Sequence, residues 1–167
     1  MRLQYSQFTI IENEINTTPL LSWDIVKLLL WDLDATIFHD LDKIAISNNW
    51  YFKYFIDGYS HFKNYAIVLV DHELNICAAS PNIKKITGYE SNEMIGKAVY
   101  FSHGAATNSD CKFLSKIAID EEIPFHSRLV NYDRDGNVYG CETRAFPIFN
   151  KSGKLCHYIA FKQAYSV

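Results

Sequence analysis

The stretch from residue 125 to 163 most narrows the folds open to this chain. Two four-residue turn signals, Asp133-Arg134-Asp135-Gly136 and Asn150-Lys151-Ser152-Gly153, separate three runs rich in β-branched and aromatic residues. The runs are Phe125 to Tyr132, Val138 to Phe149, and Leu155 to about Gln163. Turn residues at that spacing between strand-like runs specify hairpins, so the three form an antiparallel meander. Ahead of it, Tyr65 to Val70 is a continuous apolar strand, and the polar turn Asp71 to Asn75 leads into a second, Ile76 to Ala79. Between the two groups lie helical signals. Ser80 caps a short helix that has Pro81 at its first position and runs to about Thr87, where Gly88 stops it. A helical turn from Asn92 to Ile95 ends at Gly96. A longer helix is expected from Ser109 to about Asp120, with Leu114, Ile117 and Ala118 facing in. Two strands, several helices and then a meander make an α+β fold, with a five-stranded antiparallel sheet and helices on one face.

Composition changes near residue 64. Residues 1 to 18 are polar and weakly patterned. A long helix is expected from Ser22 to about Ala45, with Ile25, Leu28, Leu29, Ile37, Leu41 and Ile44 at helical spacing. Leu30, Trp31, Leu33 and Phe38 widen its apolar face beyond what one docking surface needs. A second helix is expected after Ser47 or Asn48, carrying Trp50, Tyr54, Phe55 and Phe62. The division is therefore residues 1–64, a helical extension for docking or dimerisation, and residues 65–167, a separate domain.

The net charge of −3 argues against a dedicated nucleic-acid binder, which would be strongly basic. The longest strongly apolar stretch, Ile25 to Leu33, holds Lys27 and Asp32 and is too short to span a bilayer. Cys77, Cys111, Cys141 and Cys156 form no C-x-x-C pair, and no apolar leader segment opens the chain. A reduced, cytoplasmic protein without membrane association is expected. No His/Cys/Asp/Glu cluster has metal-ligand spacing, and no catalytic motif is present. Asp133 and Asp135 are paired carboxylates in a turn that favours Asp for backbone reasons, so no catalytic residue is assigned.

Three phrases in order, IVLVDHELNICAASPNIKKITGY, SNEMIGKAV and NYDRDGNVYGCETRAFPIFNKSGKLCHYIAF, resemble the PAS domain, a small sensory α+β module. The chain is also similar to standalone PAS proteins with a short helical N-terminus and no attached output domain. Within the family, Gly96 to Gly104 resembles the flavin-binding LOV subgroup in length and in its two glycines. LOV photochemistry needs a cysteine thiol after the first glycine, and that position here is Val99. The LOV arginine falls on Tyr100 and the loop glutamine on His103. Of the two asparagines that read the flavin edge, Asn131 remains and Cys141 stands at the second place, while the last-strand glutamine is Lys162. Cofactors are accordingly expected to be none. Haem through His103, or flavin, is the minor alternative that the resemblance admits.

Strand alternation sorts the side chains of the sheet. With Asn131 facing the helices, Ser127, Leu129, Cys141, Thr143, Ala145, Tyr158, Ala160 and Lys162 share its face. Val130, Tyr132, Val138, Phe146, Ile148, Ile159 and Phe161 form the other. The first face allows two readings. Either it is a filled core, or it is a pocket lined by Asn131, Cys141, Thr143, Tyr158 and Lys162 with Val99, Tyr100 and His103 opposite. The second face is too apolar to stay in water, so the N-terminal helices are expected to dock there, through Leu29, Leu33, Ile37 and Leu41 onto Phe146, Ile148 and Phe161. The resemblance implies that such helices build dimers.

The expected protein is thus a non-enzymatic PAS sensory module, a homodimer as the resemblance implies, that binds a small ligand or a signalling partner. The alternative is an adaptor with a filled core that acts through dimerisation alone.

Overall fold

A computed structural model describes residues 7–10, 21–30, 35–53 and 64–167 of the chain. It contains one antiparallel sheet built mainly from the second part of the sequence. The strands are β1 (Phe8–Ile10), β2 (Leu21–Ser22), β3 (Trp50–Phe52), β4 (Ala66–Asp71), β5 (Ile76–Ala79), β6 (Phe125–Tyr132), β7 (Val138–Asn150) and β8 (Leu155–Tyr165). Their main order is β1-β6-β7-β8-β4-β5, with β3 pairing on β7 and β2 on β3. The helices are α1 (Trp23–Leu30), α2 (Ala35–Asn48), α3 (Lys84–Thr87), α4 (Ser91–Met94) and α5 (Ser109–Asp120), with a 3-10 turn at Pro81–Ile83.

The α+β class, the two hairpins and the five strands β4 to β8 agree with the sequence. The sheet is larger than expected because three strands come from the first 52 residues. β6 pairs with β7 only from Val138 to Ala145, so the longer β7 leaves an unpaired edge beyond it. β3 takes that edge, with Trp50 opposite Asn150 and Tyr51 opposite Phe149. At the other side, β1 pairs with β6 through Phe8–Ser127 and Ile10–Phe125. Both additions satisfy backbone groups that an open edge would leave to water or to another chain.

Two N-terminal expectations are corrected. The long helix from Ser22 to Ala45 is described as α1 and α2, with Ser22 in β2 and α2 continuing to Asn48; residues 31–34 lie outside the described residues. The second helix does not include Trp50, which is in β3. Ser47 and Asn48 do not cap a new helix. They end α2, and Asn49 follows in the left-handed region at φ 49°, a conformation that stops a helix and that asparagine tolerates. The aromatic run Trp50-Tyr51-Phe52 then alternates buried, half-buried, buried, as a strand should. Tyr54, Phe55 and Phe62 lie outside the described residues.

The sheet separates two apolar layers. On the back face, Ile67, Leu69, Phe146, Ile148, Ile159 and Phe161 meet Trp23, Val26, Ile37, Leu41, Ala45, Trp50 and Phe52. Each large side chain buried there contributes on the order of 2 kcal/mol. Trp23 Nε1 donates to Asp42 Oδ1 at 2.7 Å, tying α1 to α2. Trp50 Nε1 donates to His157 Nδ1 at 3.1 Å, tying β3 to β8. On the front face, Ala66, Val68, Val70, Ala145, Tyr158 and Ala160 pack beneath Ile83, Met94, Cys111 and Ala118. β4 is buried on both sides, which explains its unbroken apolar run.

The docked back face covers only part of the surface assigned to it. Val138 stays 49% exposed. Tyr132 does not join the N-terminal layer. It packs across Gly104, and its hydroxyl accepts from the Ala106 N–H at 3.0 Å. That end of the sheet lies beyond the reach of α2 and carries polar groups instead, among them His126 bonded to Glu142 at 2.7 Å.

Candidate functional site

The register of three strands creates the floor of a site. Ser127 lies opposite Thr143, and Thr143 lies opposite Lys162, so one row across the front face is short and polar and ends in a cation. Short side chains under a helix leave volume. Across from the row, Lys112, Ser115, Lys116 and Ile119 recur at helical spacing on α5 and form one wall. α5 is fixed at its start by Asn108, whose side chain accepts from the Cys111 N–H. Near its end, the Tyr158 hydroxyl lies 3.3 Å from the Ala118 carbonyl and 3.4 Å from that of Ile123. The remaining wall is Leu74 with Val99, Tyr100 and His103.

Together these elements line a half-open cavity of about 620 Å³, whose lining is completed by Phe125, Leu129 and Asp120. That volume lies within the range of about 300–1,000 Å³ typical of small-molecule sites. A second void of about 10 Å³, between Val68, Met94, Phe101 and Tyr139, has room for about one water. Val99 and Lys162 line both spaces.

The cavity's charges are uneven. Lys116 is paired with Asp120 at 2.7 Å. Lys112 and Lys162 have no ion pair among the described residues. His103 is held at a pKa of about 4, first by burial and then by the positive charges of Lys162 and Lys112. Its imidazole is therefore neutral at pH 7. Ser115 Oγ is buried without a hydrogen-bond partner.

Five of the eight expected pocket residues line this cavity: Val99, Tyr100, His103, Thr143 and Lys162. Three do not, which corrects their placement. Asn131 is buried near Tyr139, and its Oδ1 has no partner. Burial holds the Tyr139 phenol above its ordinary pKa, with the Asn131 side-chain hydrogen bond acting the other way. Cys141 is buried, 3.7 Å from the Thr143 hydroxyl. Tyr158 is spent on the α5 anchor. Alternation put all three on the correct face, but position along the strand decides who reaches the space. The residues missed are mainly those of α5. Their signal was the spacing of Lys112, Ser115, Lys116 and Ile119, hidden because the apolar positions Leu114, Ile117 and Ala118 drew the inward assignment.

Of the docking residues, Ile37, Leu41, Phe146, Ile148 and Phe161 meet one another inside this chain. The side chain of Leu29 and the whole of Leu33 lie outside what the structure describes. No helix among the described residues is long and apolar enough to cross a membrane. None of their His, Cys, Asp and Glu side chains forms a group that could hold a metal ion.

The sheet, with α3, α4 and α5 over a ligand-sized space on its front face, is an α+β arrangement that comparison with known proteins assigns to a family. The PAS domain family matches residues 64–162. A blue-light-activated histidine kinase of Brucella ovis is 31% identical over 85 residues, which are 51% of this chain and 17% of that protein. A bacterioopsin transcriptional activator of Halobacterium salinarum is 32% identical over 92 residues, 55% of this chain and 14% of that one. The chain thus spans less than a fifth of either relative's length. Among solved structures, the LOV domain of the Erythrobacter litoralis EL346 blue-light activated histidine kinase superposes with a TM-score of 0.58 at 15% identity, covering 62% of this chain and 97% of that one. The light-state Aureochrome1 LOV structure gives 0.57 at 22% identity, covering 60% and 80%. This chain belongs to the PAS domain family.

Its cavity departs from the LOV pattern in chemistry. None of the four cysteines lines it, and Val99 stands where the LOV thiol would be. Asn131 is off its wall, and Lys162 brings an ammonium group to it where the LOV resemblance implies a neutral amide. These residues do not fit a flavin held for thiol photochemistry.

Proposed function

We propose that this chain is a non-enzymatic PAS sensory module. Its front cavity takes a small ligand, and its N-terminal strands and helices, residues 1–64, carry the response from the PAS unit of residues 65–167. The supporting observation is that the same strands serve both faces. On β8, Lys162 reaches into the cavity while its neighbour Phe161 is fully buried in the back layer. On β7, Thr143 lines the cavity while Phe146 and Ile148 hold the N-terminal elements. A ligand that shifts β8 has to be accommodated by the layer behind it, because close-packed cores do not absorb displacement locally. Coupling of this kind is worth about 1–3 kcal/mol in regulated proteins.

The functional form is a homodimer in which that layer meets a second copy or a signalling partner. Native mass spectrometry of protein purified from its host, followed by a thermal-shift screen, tests the ligand. A retained or stabilising molecule whose addition also changes the dimer population in light scattering supports the sensor. A dimer that retains nothing and responds to no compound is the adaptor, and the ligand reading is then wrong.

A further inference from the structure

The cavity's walls specify what kind of molecule fits it. Most of the lining surface is apolar, with Leu74, Val99, Ile119, Phe125 and Leu129 contributing to it. Against this stands one charged corner. Lys162 comes from the sheet and Lys112 from α5, both act on His103, and neither has an ion-pair partner among the described residues. The only carboxylate in the lining, Asp120, is already engaged by Lys116. Two ammonium groups sharing a half-enclosed space repel each other, and the arrangement is relieved by an anion. Ser115 lines the same wall, and its hydroxyl is buried beside it without a partner.

Resting on the sensory reading above, we propose that the ligand is an anionic amphiphile, with an acidic head held between Lys162 and Lys112 and an apolar body along Ile119, Phe125 and Leu129. Lys162 and Lys112 supply charge-assisted hydrogen bonds. The neutral His103 ring lines the same part of the cavity and adds no charge of its own. A neutral ligand of the same shape leaves both ammonium groups unpaired, and a cationic one adds a third like charge.

The head can be a carboxylate, as in a free fatty acid, or a phosphate monoester. The test is calorimetric titration of the full chain with four probes of one length, each kept below its micelle concentration or solubility limit: dodecanoate, dodecyl phosphate, dodecanol and dodecylamine. One or both anions bind at least about tenfold tighter than dodecanol, the size of one charge-assisted hydrogen bond, and dodecylamine binds weakest. The better anion identifies the head. Lys162→Met keeps the aliphatic stem and removes the preference for anions, while Lys162→Arg restores it. Lys112→Met, on a different element, weakens the same preference, so a folding defect in one variant does not decide the outcome. Melting curves confirm that each variant is folded.

Equal binding of dodecanol and dodecanoate overturns the anionic assignment and leaves the cavity reading intact. If none of the four binds, the amphiphile assignment fails as well. The sensory reading falls with it only when the purified protein also retains no small molecule and is stabilised by none.

Discussion

The junction between Trp50 and His157 offers the sharpest test of how the N-terminal segment is held to the sheet. Trp50 is 1% exposed, stands edge-on to Trp23 at 5.3 Å and Phe52 at 6.1 Å, and donates to His157 Nδ1 at 3.1 Å. In Trp50→Phe, the loss of the donor leaves a buried acceptor unsatisfied, costing about 1–3 kcal/mol. The smaller ring removes apolar contact worth about 1 kcal/mol more. The expected destabilisation is about 2–4 kcal/mol, measured by urea unfolding at pH 7.5. For a chain of this size it lowers the melting temperature by about 4–16 °C. His157→Leu strands the Trp50 N–H instead and is similarly costly. The double variant removes both partners, so it costs less than the sum by about 0.5–3 kcal/mol. The acid limb gives a second reading. His157 has a lowered pKa, chiefly from burial, with Asp71 raising it and His72 lowering it. Its contribution is therefore complete above the unfolded value near 6.5 and is lost as pH falls from there towards the folded value. His157→Leu flattens stability across that window. Additive single-variant costs, together with an unchanged acid limb, refute the junction as the tie.

His103 loses its stabilising neutrality in the same direction, over the window from about 6.5 down to about 4. Solvent screening of this half-buried ring reduces the ceiling of roughly 3 kcal/mol to about 1 kcal/mol, and His103→Gln, compared with the parent by urea unfolding at pH 7.5 and 4.5, removes that dependence. Gly104→Ala places a Cβ 2.4 Å from the Tyr132 ring; the ring has to give up its hydroxyl contact with Ala106, at a cost of about 1–3 kcal/mol by chemical denaturation. Truncation to residues 65–167 bares Ile67, Phe146, Ile148, Ile159 and Phe161 together, and the product is expected to aggregate or associate in size-exclusion chromatography. A monomeric, fully folded remainder contradicts the proposed role of the N-terminal layer.

The fold was legible wherever local chemistry and tertiary need coincide. Asp133 to Gly136 and Asn150 to Gly153 are turns by composition, and both hairpins formed with the expected partners, Tyr132 opposite Val138 and Phe149 opposite Leu155. Gly88 ends α3 at φ 76°, where its freedom is required. The N-terminal strands were not legible for a physical reason. Phe8 to Ile10 and Trp50 to Phe52 are strands because β6 and β7 present open edges to them, and no local pattern in three residues encodes a distant edge. The cavity was half legible on similar grounds. Period-2 alternation fixes a face, yet Asn131 and Thr143 share a face and only Thr143 lines the space. Reaching the cavity depends on where α5 crosses, which is a tertiary fact.

The division of labour within β7 and β8 also accounts for how a PAS sheet can change its ligand without losing its shape. Residues of opposite parity on one strand meet different solvents: Phe161 and Ile159 meet the N-terminal layer, while Lys162 meets the cavity. The back face buries the larger aromatic side chains, among them Trp23, Trp50, Phe52, Phe146 and Phe161. Lys162 and Val99 line the cavity on the other side, so substitution there alters its charge and reach without removing a side chain from the back layer. Ala145 and Ala160 lie opposite each other and are buried on the cavity side of the same two strands. A family likeness over residues 64–162 is therefore compatible with a recognition chemistry of this chain's own. On the anionic-ligand proposal, Lys162 and Lys112 are the residues that carry that chemistry.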